Sequence, residues 1–112
     1  MKTYELGEVV AERRLETVAG NGARTPVVVK LGKPQPDPLS ANQDWYCPHQ
    51  ILGLGENRVE ASYGVDSLQA FLLGVYSLQL KLAERAETAQ VQLEWAGTPD
   101  LGLEVAPAFG TG

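Results

Sequence analysis

A single cysteine, Cys47, leaves the chain without an internal disulfide and without the cysteine partners of a zinc site, which reads as residence in a reducing compartment. Histidine is equally scarce, with His49 alone. No apolar run is long. The longest, residues 70–73, falls far below the roughly 18 residues needed to span a bilayer, and residues 1–8 lack the unbroken apolar stretch of a signal peptide. A cytoplasmic protein with no membrane partner is expected. Basic residues are the minority, 9 against 14 acids for a net charge of −5. That balance argues against nucleic acid as a partner, because binding its backbone depends on clustered Lys and Arg.

What is present fits an ordinary globular chain. The 112 residues, 44% hydrophobic and 21% charged, suffice for one domain (1–112) that buries about two-thirds of its unfolded surface without metal or disulfide. The acids are unevenly spread. Residues 1–83 hold nine acids and eight bases, whereas residues 84–112 hold five acids and only Arg85. The negative field therefore belongs to the C-terminal quarter.

Residues 9–18 carry partial two-residue alternation with β-branched ends, and Asn21-Gly22 then offers the positive φ angles of a hairpin turn. A second strand follows over 25–31, with Val27, Val29 and Leu31 on one face and Pro26 near the start, where a missing N–H is tolerated. Residues 32–44 form a proline-rich surface loop; Pro34, Pro36 and Pro38 at alternate positions block helix and central strand. Residues 45–52 read as a third strand, Pro48 marking an edge or bulge. Residues 58–65 alternate as a fourth. Val59, Ala61, Tyr63 and Val65 are expected inward there, with Arg58, Glu60 and Ser62 outward.

At Asp66 the period becomes helical. Asp66 with Gln69 three residues on resembles a capping box, and the helix is expected to run to about residue 86. Its apolar set, from Leu68 to Ala83, spans about 220° at 100° per residue, leaving Ala70, Gly74, Ser77, Lys81 and Glu84 on the remaining arc. That apolar width exceeds what one sheet covers and leaves room for the chain's own tail or for a homodimer. Ala89, Val91, Leu93 and Trp95 alternate as a fifth strand before an irregular tail (97–112). The fold class is α+β: an antiparallel sheet of four to five strands with one long helix packed on a face.

Gly64-Val65-Asp66-Ser67-Leu68 resembles the phosphopantetheine attachment signature of acyl and peptidyl carrier proteins, in which the serine holds the prosthetic arm. Those proteins are four-helix bundles, and strands precede the motif here. An N-capping Asp accounts for the same residues, so no cofactor is expected. Cys47 and His49, two apart on a strand, share a face as a thiolate and base would require. No third group orients them, and a lone Cys is more often a small buried hydrophobe. Gly53-Leu54-Gly55 lacks the remainder of any phosphate loop. No catalytic residue and no metal site is assigned.

Gly32-Lys33-Pro34 with Asp37-Pro38, Trp45-Tyr46-Cys47-Pro48, Ile51 and Gly53, the run from Tyr63 to Ala70, and Asp100-Leu101-Gly102-Leu103 together resemble a family of short uncharacterised bacterial single-domain proteins. The resemblance implies a compact bacterial domain and carries no activity. Small size, concentrated acidity and absent chemistry point to a non-enzymatic binding protein, an immunity- or antitoxin-like chain that covers a basic partner surface. A carrier protein or a structural subunit of a larger complex is the alternative. The expected partner-binding residues are Glu87, Glu94, Asp100 and Glu104, with Trp95 and Phe109 as aromatic anchors.

Overall fold

In the computed structural model, described for residues 4–104, the chain runs β1 (Val9–Val18), β2 (Arg24–Gly32), β3 (Gln35–Pro36), β4 (Trp45–Leu52), β5 (Glu60–Gly64), α1 (Ser67–Ala89) and β6 (Gln92–Glu94). The strands form one sheet in the order β3-β4-β2-β1-β6, with β5 on the other side of β4. Every pairing is antiparallel. The α+β expectation holds, with six strands in place of four to five.

The Asn-Gly turn joins β1 to β2. Gly22 takes a φ of +85°, and the Asn21 side chain accepts the Ala23 N–H at 2.9 Å. Val27, Val29 and Leu31 are buried beside Leu15 of β1, on the face that α1 covers. Within the proline-rich loop, Gln35 and Pro36 pair with Tyr46 and Trp45. This adds a two-residue strand where a plain loop was expected.

Pro48 does not mark a sheet edge, because β4 is flanked on both sides. On one side β2 pairs with residues 49–52 and β3 with 45–46. The proline falls in the gap between those two ladders, where an absent N–H costs no hydrogen bond.

The expected facing of β5 is reversed. Cys47 and His49 point toward α1, and their partners across the ladder are Ser62 and Glu60. Opposed residues of an antiparallel pair share a face, so Glu60, Ser62 and Gly64 also face the helix. Tyr63 and Val65 are exposed instead. The close approach of α1 demands this register, since a Cβ on Gly64 would lie 2.4 Å from the Ala70 backbone nitrogen. A one-residue slip would exchange every side chain between the faces.

The helix begins as expected. The Asp66 side chain accepts from the Gln69 N–H at 2.8 Å, and Gln69 Oε1 accepts from the Val65 N–H at 2.8 Å. The inward face combines two leucines of the expected apolar arc with small residues from outside it. Ala70, Gly74, Leu78, Leu82 and Ala86 are buried, whereas Leu68, Leu72 and Leu80 are exposed. Small residues let the helix axis come near the sheet, and β4 and β5 supply most of its support. Gln90, in the left-handed conformation, ends α1 after Ala89 and bonds back to Ala86 and Glu87. The last strand therefore starts at Gln92 rather than Ala89. Trp95 then bridges Thr98 in a tight reversal, and Leu101 and Leu103 fold back onto the core.

Candidate functional site

The reversal at Trp95–Thr98 brings residues 99–104 alongside the C-terminal half of α1. Between them lies an open groove of about 970 Å³. Its apolar lining comes from Ala83 and Ala86 of α1, Val91 and Leu93 near β6, and Leu101 and Leu103. Glu87, Asp100 and Glu104 also line it, and among the described residues no Lys or Arg does. Three of the six residues expected to bind a partner are thus gathered around one apolar depression.

Asp100 is fixed by its own turn. Its carboxylate accepts the Gly102 N–H at 3.0 Å, and its own N–H donates to Thr98 Oγ1 at 3.3 Å. Glu87 and Glu104 are exposed.

Glu94 and Trp95 lie elsewhere. Glu16 and Glu94 stand opposite each other in the β1/β6 ladder, and Arg24 of β2 reaches both carboxylates, at 3.6 and 3.1 Å. Glu94 is therefore already paired. Trp95 is packed against the core, with the Arg13 guanidinium 3.7 Å from its ring centroid. Arg13 also donates to the Leu101 carbonyl at 2.5 Å, tying the 99–104 segment to β1. Trp95 acts as a structural platform for the groove wall. Phe109 lies outside the described residues.

A second constellation escaped sequence reasoning. Beneath α1, Glu60 is held by Lys81 and by Arg85, whose Nη2 lies 2.9 Å from Oε1. Arg85 also donates to the Leu54 and Glu56 carbonyls, each at 3.0 Å. Burial alone would raise the Glu60 carboxyl, but the Lys81 hydrogen bond and charge, joined by Arg85, hold it below its usual range. His49 is 2% exposed and its Nε2 lies 3.0 Å from Ser62 Oγ. Burial, with the nearby Lys81 charge, pushes its pKa down to about 4. Among the described residues no buried side-chain nitrogen or oxygen lacks a hydrogen-bond partner. The signal for this network was the Lys81/Arg85 spacing, which puts two cations on one helix flank.

Cys47 and His49 share a face as expected but do not pair. The Cys47 thiol is fully buried, lies 3.6 Å from the Gly32 carbonyl oxygen, and is pushed up to about 11 by burial. A thiol held protonated is a poor nucleophile. Ser67 is exposed as the first residue of α1. No group of three or more metal-ligating side chains occurs among the described residues, and no helix there is long and apolar enough to cross a membrane.

Residues 11–105 match a family model described as a domain of unknown function, DUF6968. The chain belongs to that family. No curated protein and no solved structure matches it. The DUF6968 match runs from β1 through the groove, so the groove wall at 99–104 is part of the family domain.

Proposed function

We propose that this chain is a non-enzymatic binding protein whose groove receives a basic segment of another protein. The observation that carries the reading is the groove's composition: an apolar floor beside Glu87, Asp100 and Glu104, with no cation among the described residues of the lining. An aliphatic or aromatic side chain of the partner would fill the floor and supply most of the affinity. Lys or Arg on either side of it would meet the carboxylates and mainly accelerate encounter. An immunity- or antitoxin-like role in a bacterial cytoplasm is the specific form proposed, in which the covered segment belongs to a basic toxin surface. The carrier reading has one observation in its favour, the exposed Ser67, but α1 lies on a sheet rather than in a helical bundle.

The test is selection from a displayed random-peptide library on the intact protein, counter-selected on the triple variant Glu87→Gln, Asp100→Asn, Glu104→Gln. Enriched peptides should share an apolar residue flanked by Lys or Arg, associate more slowly as salt rises, and shift NMR signals of Leu93 and Leu101. Peptides that bind both proteins equally, or that leave those signals in place, would remove the groove as the site.

A further inference from the structure

β1 is longer than the strand on its outer side. It pairs with β2 from Val9 to Val18, but β6 meets only Glu16, Thr17 and Val18 before the chain turns back at Trp95–Thr98. Among the described residues nothing pairs with that edge of β1 from Val10 to Arg14. The Ala19 N–H, bonded to the Ala23 carbonyl at 2.9 Å, fixes which groups point there. Bonding alternates along an antiparallel ladder, so Thr17, Leu15, Arg13 and Ala11 exchange with β2. Glu12 and Arg14 therefore turn their N–H and C=O groups to the open edge. Pro26 agrees with this phase, since it stands opposite Glu16 with no N–H to give.

We propose that this edge takes up an extended segment of another protein as an added antiparallel strand, with one aliphatic side chain of the segment in the pocket beside it. Backbone donors and acceptors in a row are matched by another extended backbone, and pockets for alternate side chains then select the sequence. Ala11 and Arg13 share the Leu15 face, which α1 covers. Beside Ala11 opens a pocket of about 190 Å³ walled by Val29, Leu31, Phe71, Val75 and Leu103. A residue opposite Ala11 in the added strand lies on that same face, so its side chain meets an apolar lining. Arg14 lies on the other face, is exposed, and makes no ion pair among the described residues. Its opposite number is an Asp or Glu.

The edge is unsuited to its own copy. Two-fold antiparallel pairing sets one residue against itself at the centre, and in the middle of the open stretch that residue is Glu12, Arg13 or Arg14. Each choice opposes like charges. The edge is also distinct from the groove proposed above, with Leu103 alone among the described residues lining both. It does not depend on that reading.

The probe is the peptide acetyl-Glu-Thr-Lys-Leu-Thr-amide, which sets Glu opposite Arg14, Lys opposite Glu12 and Leu opposite Ala11. Hydrogen exchange of the Glu12 and Arg14 amides should be fast in the full-length protein alone and at least roughly tenfold slower with saturating peptide. N-methylation of the peptide's Lys, whose N–H faces the edge, should weaken binding at least roughly tenfold, and N-methylation of the Thr before it should not. Arg14→Glu should weaken binding, and a peptide with Lys in place of Glu should restore it. Amides already protected in the dilute free protein would show the edge filled by its own chain, and protection that grows with protein concentration would show a second copy. Either result overturns the proposal, as does unchanged exchange with peptide or binding indifferent to which N–H is methylated.

Discussion

Gly74 of α1 lies directly over Cys47 of β4: a Cβ on the glycine would stand 3.0 Å from the cysteine Sγ and 3.2 Å from Leu31 Cδ2. The helix crosses the sheet at that point on a hydrogen atom. Gly74→Ala gains about 1 kcal/mol of helix propensity but forces side chains apart in a packed core, a cost of about 1–3 kcal/mol. A net loss of about 1 kcal/mol in urea denaturation is expected. Gly64→Ala should lose more, since its Cβ would strike the Ala70 backbone, which has no rotamer to yield. Equal effects for the two substitutions would show that the helix is not seated as described.

Stability should form a plateau with two shoulders. The His49 pKa falls from 6.5 to about 4 on folding, so between those values the unfolded chain binds a proton that the folded chain refuses. Stability attributable to His49 is complete above pH 6.5 and is lost as pH falls toward 4. Glu60, also lowered in the fold, adds to the acid side. Cys47 rises from 9.0 to about 11, so its contribution is complete below pH 9 and lost as pH climbs toward 11. Each group gives a slope of at most about 1.4 kcal/mol per pH unit. Chemical denaturation across pH 4–11 measures this, and His49→Gln should flatten the shoulder between pH 6.5 and 5.

The helix start gives a local test. Asp66→Ala removes the acceptor of the Gln69 N–H and should cost about 1 kcal/mol. Asp66→Asn or Asp66→Ser should restore most of it, which thermal unfolding can resolve. An unchanged midpoint in the alanine variant would mean that the end of α1 is fixed by packing alone.

Ser67 separates the binding reading from the carrier reading. Incubated with coenzyme A and a broad-specificity phosphopantetheinyl transferase, the protein is expected to keep its mass. A gain of one prosthetic arm, abolished by Ser67→Ala, would reverse that ranking.

The parts of this fold that could be read from the chain are those governed by local chemistry. The Asn21-Gly22 hairpin and the Asp66/Gln69 helix start depend on neighbours within four residues, and both formed as expected. Facing was harder. Val27, Val29 and Leu31 declare their face because the alternation is purely apolar. In β5 the apolar residues Ala61 and Tyr63 lie opposite the side that the helix covers, because the helix brings Lys81 and Arg85 to neutralise Glu60 and needs Gly64 beneath Ala70. Hydrophobicity alone reports such a strand upside down. The same weighting by hydrophobicity placed Ala70 and Gly74 of α1 away from the sheet, whereas they are buried in one row with Leu78 and Leu82. Of the groove's lining, charge had singled out Glu87, Asp100 and Glu104, but the capture of Glu94 by Arg24 needed strands β1, β2 and β6 in place at once.

That capture bears on how the groove stays assembled. Across the β1/β6 ladder two glutamates face one another, an arrangement that by itself pushes strands apart. Arg24, reaching over from the neighbouring strand, offsets that repulsion and adds to the backbone ladder and the buried Leu93 that keep the three-residue β6, and with it one wall of the groove, in place. A cation half exposed to solvent is open to competition from dissolved salt. The wall of the groove proposed to receive a partner thus leans in part on a contact that ionic strength loosens, so that salt would act on the groove's own shape as well as on any charged visitor.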